Sequence, residues 1–117
     1  MENAPDNNVK INYTFEIPVT EALQAKIPGY DSMVAGAHSL DKSLGKELID
    51  FFRVDYPQFT GKFVLTKTSP VMVGMFSTES IVKRSQEAKG LEFFRVLLKE
   101  LTGTDDVKAE INLSCFL

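Results

Sequence analysis

Chemistry in this chain would have to start from very few groups. His38, the one histidine among 117 residues, is followed directly by Ser39, a base beside a hydroxyl nucleophile. A nucleophile and its base must converge on one reacting atom, with an acid orienting the base, and adjacent residues rarely converge in that way. Ser39 is better placed as the N-cap of a helix. Cys115, the one cysteine, lies on the apolar side of an alternating stretch with no cation next to it, where a thiol is inert. A single cysteine also excludes an internal disulfide and a cysteine-based zinc site.

The acids Asp105–Asp106 and Glu47, Asp50 and Asp55 lack the ligand periodicity of a calcium loop, and one histidine cannot support a transition-metal site. Gly29, Gly36, Gly45 and Gly61 are isolated, and neither the dinucleotide nor the P-loop glycine pattern is present. Lys83, Arg84, Lys89, Arg95 and Lys99 are interleaved with Glu92 and Glu100, which reads as a solvated helix face. No catalytic residue, metal or cofactor is assigned, and the reading turns to a non-enzymatic protein.

Net charge is −3, distributed as −4 over residues 1–41, +3 over 42–102 and −2 over 103–117. The mildly basic middle mixes ten cations with seven acids and reads as a solvated face rather than an anion-binding one, and a pI of about 5.1 suits a nucleic-acid partner poorly. The length suits one domain, expected over 9–117 behind a polar, disordered leader at 1–8. The opening residues show no apolar signal core, and no run approaches the ~20 apolar residues of a membrane helix. A lone cysteine fits a reducing compartment, so a cytoplasmic protein is expected.

The elements that would position any site are clearer. Val9, Ile11, Tyr13, Phe15 and Ile17 alternate with polar residues, as do Val107, Ala109, Ile111, Leu113, Cys115 and Leu117. Period-two alternation predicts half-buried strands near both ends. Thr20 is placed to cap a short helix over Ala22, Leu23 and Ile27. Leu40, Leu44, Leu48 and Phe51 or Phe52 make one helical stripe, predicting a helix over 39–54 capped by Ser39. Residues 59–67 and 71–76 read as a hairpin around Thr68-Ser69-Pro70. Ile81, Ala88, Leu91, Phe94, Leu98 and Leu101 predict a helix over 80–102, interrupted by Gly90 and closed by Gly103.

This order predicts an α+β fold: one four-stranded, mainly antiparallel sheet with helices on one face, in the β-α-β-β-α-β order of ferredoxin-like proteins. The expected core holds Tyr13, Phe15, Leu44, Leu48, Phe63, Leu65, Phe94, Leu98, Ile111 and Leu113.

The run Val71-Met72-Val73-Gly74-Met75-Phe76 is apolar on both sides. One side must therefore face away from the helices: either Val71, Val73 and Met75, or Met72, Gly74 and Phe76. Such a patch marks a partner surface, expected at Lys62, Val64, Met72, Gly74 and Phe76. The resulting reading is a protein-interaction or regulatory module (adaptor, inhibitor or assembly subunit) acting through an open sheet face or edge, with a protein partner or itself as a homodimer. An alternative is a small-molecule binder or small enzyme with a pocket between the sheet and residues 28–38, lined by Tyr30, His38 and Tyr56. A third is single-stranded nucleic acid stacked on Phe76 beside Lys62, Lys67 and Arg84.

Overall fold

The computed structural model describes residues 8–40, 43–68 and 70–112. Strand β1 (Asn8–Pro18) leads to helix α1 (Glu21–Gln24), a 3₁₀ turn (Tyr30–Ser32), strand β2 (Gly36–Ser39) and helix α2 (Leu44–Arg53). Then come β3 (Lys62–Lys67), β4 (Val71–Lys83), helix α3 (Arg84–Thr102) and β5 (Lys108–Ile111). Every strand pair is antiparallel, in one sheet of order β2-β3-β4-β1-β5. The fold is α+β, with the helices packed on one face of that sheet.

The period-two pattern of β1 is realised from Ile11 to Ile17, where Ile11, Tyr13, Phe15 and Ile17 are buried and the residues between them are half-buried or exposed, while Val9 is only half-buried. Phe94 on α3 wedges between Phe15 and Phe63, with ring centroids 5.1 and 5.5 Å away and both contacts edge-on. Thr20 caps α1 as expected, accepting the Leu23 amide at 3.2 Å. Gly103, in the left-handed conformation, closes α3 by donating its amide to the Lys99 carbonyl. Of the expected core, Ile111 is only half-buried and Leu113 lies outside the described residues, as does Cys115.

Several boundaries are corrected. The sheet has five described strands rather than four, the extra one being β2 at the edge. Ser39 ends that strand opposite Val64 instead of capping a helix. Leu40 extends the strand contact by donating its amide to Phe63, and α2 starts only at Leu44. Ladder bonds to β3 satisfy backbone groups that the short, weakly patterned Gly36–Ser39 stretch could not have satisfied alone. Likewise α3 starts at Arg84 rather than residue 80, because Ile81–Lys83 pair with Asn8–Lys10 beyond a register shift in the β1–β4 ladder. Gly90 does not break α3. It lies where α3 meets α2 and β1, and a Cβ there would strike the Phe52 ring and come within 2.8 Å of the Tyr13 hydroxyl.

Candidate interaction face

Which side of β4 faces the helices follows from hairpin register. Had Lys67 stood opposite Val71 across the short turn, Phe63 would face Met75. The observed ladder is one residue on, with Phe63 opposite Phe76 and Leu65 opposite Gly74. A one-residue slip exchanges the two faces of a strand. Met72 and Phe76 are accordingly fully buried, and Gly74 is buried with the Phe63 ring 2.7 Å from where its Cβ would be. Placing Met72, Gly74 and Phe76 on the surface is therefore corrected: they belong to the core. Lys62 and Val64 do lie on the opposite side. Val71, Val73 and Met75 take the positions beside them.

No described helix packs on that second face. Its residues stand in rows across the strands. One row runs Ser39, Val64, Met75, Thr14 and Glu110. The next runs Ala37, Thr66, Val73, Glu16 and Lys108. Val71 extends the apolar part, opposite Pro18. The face thus divides into an apolar half over β3 and β4 and a polar half over β1 and β5. Met75, at its centre, is 50% exposed, where the neighbouring Met72 is 0% exposed. On the polar half the Asn112 side chain donates to Thr14 at 2.6 Å, tying the end of β5 to β1.

The residues of the expected pocket do not converge. The 28–38 segment lies along the sheet edge as the 3₁₀ turn and β2. There Lys67 Nζ donates to the carbonyls of Tyr30 and Met33, both at 2.7 Å, and sits 4.3 Å from the centroid of the Tyr30 ring. His38 Nε2 donates to the Val34 carbonyl at 2.7 Å. The Tyr56 hydroxyl accepts the Lys83 amide at 3.0 Å, at the last residue of β4. The His38 ring and the Tyr56 hydroxyl each hold backbone, at a turn and at a strand end, while Tyr30 meets Lys67 through its own carbonyl and ring face.

The alternation of β1 predicts Tyr13 in the core but assigns no polar role to it or to Glu87. Tyr13, fully buried, donates its hydroxyl to the backbone carbonyl of Glu87 in the first turn of α3. Burial pushes the Tyr13 hydroxyl far above its usual range, and the Glu87 charge adds to that shift. Burial also raises the Glu87 carboxyl, with Arg84 opposing. Perturbed groups often mark active sites, but this hydroxyl is engaged in docking α3 onto β1. Among the described residues no cluster of three or more His, Cys, Asp or Glu could hold a metal, and no helix is long and apolar enough to cross a membrane. No family model, curated protein or solved structure matches the chain.

Proposed function

We propose that this protein is a non-enzymatic interaction module that docks a protein partner on the open sheet face. The observation that carries the reading is the contiguous patch Val64, Val71, Val73 and Met75 on the side of the sheet where no described helix packs. Antiparallel sheets with one wet face normally carry polar residues there, and a grouped apolar patch is the signature of a partner surface. Methionine suits such a site because it repacks against different neighbours. The pocket reading loses support because Tyr30, His38 and Tyr56 serve separate backbone contacts. The nucleic-acid reading loses its stacking platform, since Phe76 lies in the core.

The ferredoxin-like reading of the fold is proposed with it. It is supported by β1 lying between β4 and β5, with β2 as an addition at the β3 edge. The single Cys115 supports a reducing, cytoplasmic setting.

The test is whether the face is free or structural. Val73→Thr with Met75→Thr keeps β-forming residues while removing the centre of the apolar patch. In dilute solution the double variant should unfold at the same denaturant midpoint as the wild type. A loss of about 2 kcal/mol or more would mean that the chain itself packs on this face, and the docking reading would fall.

A further inference from the structure

We infer that the occupant of the open face is a second copy of this chain, and that Lys108 and Glu110 on β5 select it. This rests on the docking reading above and adds the identity of the partner.

Two like sheets stack face to face about 10 Å apart with their strands nearly aligned. In a symmetric pair the same patch serves both copies, so the two-fold axis lies in the interface, along the strands or across them. An axis along β4, the middle strand, lays the β5 edge of one copy over the β2 edge of the other. Lys108 then meets the second copy's Ala37, and Glu110 meets its Ser39. Both charges lose water without gaining an opposite charge, which disfavours that arrangement.

An axis across the strands, between the Met75 and Val73 rows, behaves differently. It keeps each strand over itself and exchanges the two rows. Met75 then packs on the second copy's Val73, and Val64 on its Thr66. On β5 the same exchange sets Lys108 opposite the second copy's Glu110 and Glu110 opposite its Lys108. Glu16 falls on Thr14, so no like charges are placed directly opposite. The result is an apolar centre with a charged rim, the ordinary anatomy of a protein interface. The alternation of Lys108 and Glu110 two residues apart, at the polar ends of the two rows that carry Met75 and Val73, makes this surface self-complementary in both charge and hydrophobicity.

Sedimentation of the full chain over a concentration series is the test, using the wild type, Lys108→Glu, Glu110→Lys and an equimolar mixture of the two variants. Both residues are exposed on an edge strand, so the substitutions leave the core untouched. The wild type should pass from monomer to dimer. Each reversal puts two like-charge contacts into every dimer and should weaken association about tenfold or more. Mixing the variants should recover a dimer, because every reversed charge then meets its opposite. A wild type that stays monomeric at all concentrations overturns the second-copy inference, while the docking reading is judged separately by the Val73→Thr/Met75→Thr midpoint. A wild-type dimer indifferent to both reversals, or a mixture that associates no better than either variant alone, overturns the cross-strand pairing.

Discussion

Val64 stands directly opposite Met75 across the β3–β4 ladder, on the side of the sheet away from α2 and α3. One residue along, Phe63 stands opposite Phe76, and both are fully buried. The division between core and open face is set by that single step of register, and the following expectations depend on it.

Leu98→Ala should lower stability by about 2–5 kcal/mol, because Leu98 is completely buried on the α3 face against the sheet and its loss opens a cavity. Chemical denaturation measures this directly. An unchanged midpoint would mean that α3 packs through a different face.

Gly90→Ala tests the approach of α3 to α2 and β1. In an open helix this change would gain up to about 1 kcal/mol. Here the new methyl meets the Phe52 ring and the Tyr13 hydroxyl, and overpacking should turn the gain into a net loss of about 1–3 kcal/mol. A stabilised variant would show that the helices are further apart than described.

These two positions also show what was legible in the sequence. Leu98 was readable, since the α3 stripe and the alternation of β1 are local patterns with one solution each. Gly90 suggested an interruption, because a glycine required by close packing looks the same as one that ends a helix. β2 was hidden for a related reason: Gly36, Ala37, His38 and Ser39 have little strand preference, and their partner Val64–Lys67 lies far along the chain. The strand end at Lys83 likewise depends on pairing with Asn8–Lys10. The candidate face was half legible. A surplus of apolar residues in 71–76 was evident, but its side was decided by a one-residue register that apolar content on both faces could not reveal.

Stability should fall at both ends of the Tyr13–Glu87 contact as pH rises. Glu87 holds its proton more tightly when folded than its ordinary value of 4.5 implies, so folding is favoured below that pH and the benefit is lost as pH rises through the raised value. Glu87→Gln should flatten that part of the stability profile. Tyr13 likewise stays protonated in the fold above its usual 10.0, so stability falls as pH climbs past that point. Tyrosinate absorbance should show Tyr13 ionising only with unfolding. A Tyr13→Phe variant with the same alkaline profile as wild type would contradict this.

Lys67→Ala should loosen the 3₁₀ turn and β2 without unfolding the domain, because it removes both carbonyl contacts and the cation over Tyr30. Amide exchange should rise over 30–39 and stay unchanged in β1. Uniform exchange across the molecule would show that this lysine supports the whole fold.

The most direct measurement of the open face is oxidation of individual methionines by peroxide, read by mass spectrometry. Met75 is half exposed and Met72 fully buried, although they lie only three positions apart on one strand. Thioether oxidation follows exposure. In dilute solution Met75 should oxidise rapidly while Met72 stays intact, and raising the protein concentration should protect Met75. Slow oxidation of Met75 at every concentration, or Met72 reacting first, would contradict the assignment of this face as a docking surface.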